Sequence, residues 1–300
     1  MPNLKKSFAL NETKPKKKSG GFRLCLIILI VFILISVSIF EIWDTVQIDG
    51  KSFSRRSTKL DIDTLTVQEV PKLKKFKKLE TISIKNCTTD FSFLSDMEQL
   101  QVFSVTAVNP AVTDCSDFAD CPQLEQVYIA KDANLKDVSG FSELHSLDTL
   151  QIGLANTLAP NVTIQTLDGA ETLPASITEL SLSGVQASEV STEQFSQLTA
   201  LEELSLRNSQ IQNLSVSSPS LKKMDAAHSD SLKNIHFSPD CKNLTYLYLN
   251  DLPNLEFPTD DLLKLPALKE IHVSENQLTK QEIQKLEDKN ILVSVYQSRD

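Results

Sequence analysis

The sequence has few of the residues that build nucleotide, metal or catalytic sites. It contains seven glycines, and neither GxGxxG nor GxxxxGK[ST], the patterns that cradle phosphate groups, occurs. Its five cysteines include no CxxC pair, and its four histidines are scattered rather than spaced as zinc ligands. The catalytic patterns GxSxG and HExxH are also absent. We therefore expect no cofactor, no metal ion and no enzymatic activity.

Charges of the two signs are unevenly distributed along the 300 residues. Residues 1–43 carry seven Lys/Arg against two Glu, a net charge of +5. Residues 44–300 carry 23 Lys/Arg against 37 Asp/Glu, a net charge of −14. Because an acidic main body repels a phosphate backbone, we expect no nucleic-acid partner.

A long apolar run follows the basic leader. Residues 24–40, LCLIILIVFILISVSIF, contain no charge. At a rise of about 1.5 Å per residue this run is near the lower limit for a hydrocarbon core of about 30 Å, and Arg23 and Trp43 extend it at the interfaces. The positive-inside bias predicts a cytoplasmic leader at residues 1–22, a transmembrane signal anchor at residues 23–43, and an extracellular remainder.

Cleavage by signal peptidase is the alternative. Ser36 and Ser38 place small residues just before Ile39, in the positions that the peptidase recognises. Cleavage there would release a secreted protein. The apolar run continues beyond this bond into Phe40 and Ile42, and this favours an uncleaved anchor.

A nine-residue frame recurs along the remainder of the chain. LTYLYLNDL, from Leu244, has apolar residues at its first, fourth, sixth and ninth positions. The other eight copies are LETISIKNC from Leu79, LQVFSVTAV from Leu100, LEQVYIAKD from Leu124, LDTLQIGLA from Leu147, ITELSLSGV from Ile177, LEELSLRNS from Leu201, LKKMDAAHS from Leu221 and LKEIHVSEN from Leu268. They start 20 to 30 residues apart, and the largest interval leaves room for a surface insertion around residues 160–174.

The spacing within the frame predicts a strand. Its fourth and sixth residues alternate, so both side chains enter one face of a sheet, while the residues between them point to the other face. One such strand cannot bury its apolar face alone. Stacked copies therefore form a parallel sheet over a continuous core.

These copies resemble the leucine-rich repeat family, whose frame is LxxLxLxxN followed by an apolar turn. LEELSLRNSQIQNL and NLKDVSGFSELHSLDTL are similar to internalin-type repeats, which implies a bacterial surface protein. The resemblance implies an α/β leucine-rich repeat solenoid, with a curved parallel sheet on the concave face and short helices and turns on the convex face. The asparagine of the ninth position is present only as Asn276, with residues such as Ser209 and Ser229 in its place elsewhere.

We place the leucine-rich repeat domain at residues 71–296, after a juxtamembrane stalk and the start of an N-terminal cap at residues 44–70. A short tail follows at residues 297–300. Residues 60–79 are expected to cover the first repeat, and NILVSV to supply the last strand. The lysines of the cap face either water or anionic lipid head groups. The buried side of the cap is predicted to consist of Val70, Leu73, Phe76 and Leu79.

Cysteine and histidine positions also follow from the frame. Cys121 and Cys241 precede apolar repeat positions in matching contexts, so we expect them in the core. Cys115 and Cys121 alternatively pair as a disulfide in an oxidising compartment. Of the histidines, two are expected on the surface outside the strands and two facing solvent within the frame. The first pair is His145 and His236, and the second is His228 and His272.

The repeat resemblance, together with the predicted anchor, implies a membrane-anchored extracellular module that binds a protein or peptide ligand on its concave face. A secreted binder or inhibitor, and an assembly protein that docks another membrane component, are the alternatives. The sequence does not indicate an oligomeric state. The candidate ligand-binding residues point to the concave side in the frame: Tyr246, Tyr248, Asn250, Glu270, His272, Asp225, Tyr128 and Arg207.

Overall fold

The structure is a computed structural model that describes residues 27–33, 44–109, 114–154 and 162–297. The chain divides into two compact units, residues 1–45 and residues 46–300.

In the first unit, residues 27–33 form a helix whose apolar side chains are all 47–70% exposed. The remainder of the predicted anchor at residues 23–43, and the leader at residues 1–22, lie outside the described residues. Among the helices of the described ranges, none is both long enough and apolar enough to cross a membrane.

The second unit begins with a hairpin of two short strands, β1 (Thr45–Ile48) and β2 (Lys51–Ser54). Its two-residue turn is formed by Asp49 and Gly50, both with positive φ. The Asp49 carboxylate accepts hydrogen bonds from the backbone N–H groups of Asp63 and Thr64 at 3.1 and 3.0 Å. These bonds fix the hairpin against the third strand, β3 (Lys59–Leu65).

One long parallel sheet forms the main layer. Each of the nine predicted copies contributes a strand, and each of these strands begins at the third residue of its copy. They are β4 (Thr81–Cys87), β5 (Val102–Val108), β6 (Gln126–Lys131), β8 (Thr149–Ile152), β10 (Glu179–Leu182), β12 (Glu203–Ser205), β14 (Lys223–Asp225), β16 (Tyr246–Tyr248) and β17 (Glu270–Ser274). The strands pair in this order, in parallel and in register. The expectation of a leucine-rich-repeat-like parallel solenoid of the α/β class is confirmed.

The sheet extends one strand beyond the nine copies at each end. β3 pairs with β4, so the sheet starts at Lys59, ahead of residue 71 where the repeat domain was expected to begin. At the other end, the expected last strand is present as β18 (Leu292–Tyr296), paired with β17. Behind β3, the predicted cap residues Leu73, Phe76 and Leu79 are buried, around the short helix α1 (Val70–Leu73).

A second parallel layer closes the core from the opposite side. Its strands are β7 (Asn134–Leu135), β9 (Thr163–Ile164), β11 (Glu189–Ser191), β13 (Asn213–Val216) and β15 (Asn234–Phe237). Ile164 and Ala170 are fully buried. The described part of residues 160–174 is therefore packed into this layer, and the expectation of a surface insertion there was wrong. The apolar residues of this segment serve the second layer, which the nine-residue frame does not represent.

Short 3-10 helices and two α-helices connect the layers. The 3-10 helices span Ser92–Asp96, Ser116–Asp120, Ser139–Phe141, Ala170–Thr172 and Thr192–Phe195, and the α-helices are α2 (Thr259–Leu262) and α3 (Lys280–Glu287). Thr279 and Glu282 form a capping box at the start of α3, and the fully buried Leu286 places one face of this helix against the last strands.

Aromatic rings fill the N-terminal half of the core. Phe91, Phe103 and Phe118 are fully buried and meet edge to face, with ring centroids 5.2 to 5.3 Å apart. Phe118 in turn contacts Phe141 of the next repeat at 5.1 Å. Edge-to-face contacts of this kind stabilise a core beyond the burial of the rings alone.

The described cysteines are free thiols. Cys121 and Cys241 are fully buried, as expected from their place in the frame. Cys115 and Cys121 do not form the alternative disulfide. Burial raises the pKa of Cys121 to about 12, so this thiol stays protonated at neutral pH.

Serine side chains connect the backbones of neighbouring repeats. The backbone N–H of Val185 donates to Ser209 Oγ, and the backbone N–H of Ser209 donates to Ser229 Oγ, each at 3.1 Å. Both serines are buried. A serine at the ninth position therefore links one repeat to the next.

Near the C-terminus a glutamine side chain connects two neighbouring repeats by donating to backbone carbonyl groups. Gln277 Nε2 donates to the carbonyl oxygens of Leu249 and Leu252 at 3.0 and 3.3 Å. Asn276, at the ninth position of the frame, is exposed in a left-handed turn with a φ of 68°. Gln277, one residue after the ninth position, therefore links this repeat to the preceding one.

Candidate ligand-binding face

The outward side chains of the long sheet form two rows, because its parallel strands are in register about 4.8 Å apart. We call the side of the sheet that carries these rows the open face. The first row includes Glu179, Glu203, Lys223, Tyr246 and Glu270. The second row includes Tyr128, Gln151, Ser181, Ser205, Asp225, Tyr248, His272 and Ser294.

Tyr248 belongs to a stack of rings at the C-terminal end of the second row. Its ring lies parallel to the imidazole of His272, with centroids 4.2 Å apart. The other face of His272 stacks on Tyr296 at 5.5 Å. Tyr248 is therefore held by its neighbours across the sheet, as a packed side chain.

His272 was expected to face solvent, and this was wrong: it is 8% exposed. The two tyrosine rings cover its faces, and both of its ring nitrogens have polar partners. Nε2 lies 3.0 Å from Glu270 Oε1, and Nδ1 lies 2.9 Å from the hydroxyl of Tyr296. Burial lowers the pKa of His272. A neutral ring that donates to Glu270 and accepts from Tyr296 satisfies both nitrogens.

Tyr246 occupies the first row and is 40% exposed. Its register neighbours carry opposite charges, Lys223 on one side and Glu270 on the other. Lys223 Nζ donates to Glu203 Oε2 at 2.9 Å and lies 5.8 Å from the centroid of the Tyr248 ring. The hydrogen bond to Glu203 raises the pKa of Lys223. Tyr246 is therefore an exposed aromatic ring between a cationic and an anionic side chain.

Asp225 and Arg207 pair with each other. Arg207 Nη1 donates to Asp225 Oδ2 at 2.7 Å, and both side chains are only 12–13% exposed. Asp225 Oδ1 also accepts from the backbone N–H of Ala227 at 3.0 Å. The pair is thus part of the wall of the open face and offers little free charge to a ligand.

Asn250 and Tyr128 complete the predicted set. Asn250 follows β16 and donates to Asp251 Oδ2 at 3.1 Å. Tyr128 is half-buried in β6, and its hydroxyl donates to Gln126 Oε1 at 3.3 Å. Since β6 is five strands from β16, Tyr128 lies on the order of 24 Å from Tyr248. The structure therefore groups the predicted residues of β14, β16 and β17 and leaves Tyr128 apart.

The other histidines differ in their surroundings. His228 was expected to face solvent, but its side chain is 11% exposed and lies in a left-handed turn, with Nδ1 3.1 Å from Asp251. Burial lowers the pKa of His228. His145 and His236 are exposed as expected, although His236 lies within β15 and is 2.7 Å from Asp261.

Tyr296 contributes to the open face without having been predicted there. It lies in β18, paired with Ser274, and its ring reaches His272. In the sequence, Tyr296 was indicated by its position directly after NILVSV, the expected last strand. Within the part of the chain that the structure describes, no group of three or more His, Cys, Asp or Glu side chains is placed to hold a metal ion.

No protein-family model matches the sequence, and no curated protein matches it. Among solved structures, the chain is similar to an internalin (inlF) from Listeria monocytogenes, at 16% identity over 76% of this chain and 70% of the other, with a TM-score of 0.49. Internalin C2 from the same organism is 14% identical over 82% of this chain and 86% of its own, with a TM-score of 0.43.

The Toll–Spätzle complex from Drosophila is similar at 17% identity over 80% of this chain, with a TM-score of 0.47. The alignment spans 36% of that longer chain. The parallel register of this chain's own strands establishes the fold.

Proposed function

We propose that the protein is a membrane-anchored extracellular module that binds a protein or peptide ligand on its open face and catalyses no reaction. The observation that carries this proposal is the row of Lys223, Tyr246 and Glu270 on three adjacent strands. Tyrosine offers a large, stiff and amphipathic contact surface and is enriched in binding hot spots. The flanking charges supply orientation and specificity.

The packing beside this row supports the same proposal. Tyr248, His272 and Tyr296 form a stack whose members are held by hydrogen bonds and ring contacts. A surface that is already rigid loses little conformational entropy when a partner binds. The stack therefore holds the part of the open face beside Tyr246 in place.

Residues 23–43 are proposed to anchor the protein, with the leader in the cytoplasm and the repeats outside. The uncharged run, the basic residues before it and the exposed apolar side chains of the helix at 27–33 support this part of the proposal. Protease added to intact cells should remove the repeats and leave the leader. Protection of the whole chain would contradict this orientation, and a mature protein that starts at Ile39 would establish the secreted alternative.

A site-specific photocrosslink tests the binding face. The full chain carries a photoreactive phenylalanine analogue at position 246 in one variant and at position 236 in the other. His236 is exposed on β15 in the second layer and is a matched control. We expect a partner, identified by mass spectrometry, to crosslink at 246 and not at 236. Crosslinking at 236 alone, or at neither position, would contradict binding at the open face.

A further inference from the structure

A narrow cleft opens on the open face between β8 and β14, beside the tyrosine row. Its volume is about 80 Å³. Its polar lining is formed by Gln151, Glu179, Ser181, Glu203, Ser205, Lys223 and Asp225. Lys223 belongs both to this lining and to the row of Tyr246, so the cleft and the tyrosine row are parts of one surface.

Two hydroxyl groups of the cleft lack hydrogen-bond partners. Ser181 is 6% exposed, and its Oγ has no partner within the described part of the chain. Leu180 and Leu182 on either side point into the core, at 1% and 0% exposure, so Ser181 points to the open face. Ser205 Oγ, the register neighbour on β12, is also buried without a partner. Buried polar atoms are normally bonded, and two adjacent exceptions indicate a surface that a ligand completes.

Two carboxylates stand side by side at the rim. Glu179 and Glu203 are direct register partners on adjacent strands, an arrangement in which like charges repel. Lys223 compensates Glu203 at 2.9 Å, whereas Glu179 is exposed and has no ion-pair partner among the described residues. Arg207 compensates Asp225 in the same way. One uncompensated negative charge therefore remains at the cleft, at Glu179.

We propose that this cleft binds the cationic tip of an arginine or lysine side chain presented by the protein or peptide ligand. The inference rests on the proposed binding function of the open face. The guanidinium or ammonium group pairs with the Glu179 carboxylate, and its N–H groups donate to the hydroxyl oxygens of Ser181 and Ser205. The two serines thereby gain the partners that they lack.

The size of the cleft fits this ligand. Its volume of about 80 Å³ is several times the roughly 10–15 Å³ that one water molecule needs. That space accommodates the end of a basic side chain. Glu179 on β10 and the exposed ring of Tyr246 on β16 lie three strands apart, on the order of 14 Å. A ligand that contacts both therefore offers a basic residue at some distance from an apolar one.

Titration of the full chain with a small probe tests the cleft directly. The probe is N-acetyl-arginine amide, with N-acetyl-lysine amide to compare an ammonium group, and binding is followed by NMR shifts of the serine and glutamate signals. We expect saturable binding of at least one of these cationic probes. N-acetyl-citrulline amide has nearly the shape of the arginine probe without its charge and should bind at least about tenfold more weakly.

Matched variants test whether the probe binds in the cleft. Glu179→Gln keeps the size of the side chain and removes its charge, and Ser181→Ala removes one unpartnered hydroxyl. Each should weaken binding of the cationic probe, Glu179→Gln by about tenfold. Glu189→Gln, on β11 of the second layer, is the control and should leave binding unchanged. Unfolding curves of each variant separate lost binding from lost structure.

The outcomes separate this inference from the proposed function. Absence of saturable probe binding, equal binding of citrulline amide, or full binding to both folded cleft variants would overturn the cleft proposal. The photocrosslink at position 246 is independent of these results. A protein partner that crosslinks at 246 while the probes fail would leave the binding function standing without the cleft.

Discussion

The ring of Tyr248 lies on the imidazole of His272, with centroids 4.2 Å apart and planes inclined by 13°. Tyr246, two residues earlier on the same strand, is 40% exposed. The two tyrosines looked equivalent in the repeat frame. The structure gives them different roles, Tyr248 in packing across the sheet and Tyr246 at the surface.

This difference predicts unequal effects on stability. Tyr248→Ala removes a stacked ring and should lower the free energy of unfolding by about 1–3 kcal/mol. Tyr246→Ala should change it by no more than about 0.5 kcal/mol, as is usual for an exposed site. Urea unfolding of the two variants measures both values. Equal losses would show that the two rings are packed alike.

The buried His272 predicts weaker folding in mild acid. Burial holds the pKa of His272 below its ordinary value of 6.5, so the unfolded chain takes up a proton that the folded chain resists. Stability should therefore be constant above that value and fall as the pH decreases through it. The groups around the ring are Glu270, Tyr248, Tyr296 and, farther away, Asp225.

Unfolding curves between about pH 7.5 and 5.5 test this dependence. His272→Gln should reduce the loss of stability over that interval. A remaining slope is expected from His228, whose pKa burial also lowers. His145→Gln alters an exposed residue and is the control. A slope that is identical in the wild type and in His272→Gln would contradict the assignment.

The alternation of inward and outward side chains along β12 predicts very different losses of stability when neighbouring residues are replaced. Leu204 is 1% exposed in the core, and Leu204→Ala should cost roughly 2–5 kcal/mol of unfolding free energy. Ser205→Ala removes an outward hydroxyl that has no partner in the described chain, so its effect should be close to zero. Chemical denaturation measures both. Similar losses of stability at the two positions would contradict the assignment of the inward and outward faces.

The buried hydrogen bond between Ser209 and Val185 predicts a loss of stability when Ser209 is replaced. Ser209→Ala leaves the buried N–H of Val185 without its acceptor and should lower the unfolding free energy by about 1–3 kcal/mol. Ser215→Ala, at an exposed position on β13, is the matched control and should have little effect. If the two variants unfold alike, the serine does not link the repeats.

The nine-residue frame predicted the main sheet well, because its leucines both define the repeat and fill the core. Where another residue stands in the first position, as Ser57 does before β3, the frame does not find the strand. It also contains no information on the second layer, so the buried Ile164 was expected on the surface.

The side-chain contacts of the open face were less predictable. Outward alternation correctly placed Tyr248 and His272 on one side, but it could not show that Tyr296 would cover the histidine. That contact depends on the strand pairing of β18 and on the rotamers of two rings. The free Oγ of Ser181 likewise appears only once the neighbouring side chains have been placed.

Binding of the crosslinked partner to purified variants tests the central claim most directly. We expect Tyr246→Ala to weaken binding by more than about 2 kcal/mol while the unfolding curve stays unchanged. His236→Ala, on the second layer, should bind the partner as the wild type does. If Tyr246→Ala binds with unchanged affinity and His236→Ala does not, the ligand contacts the opposite side of the repeats and the account is contradicted.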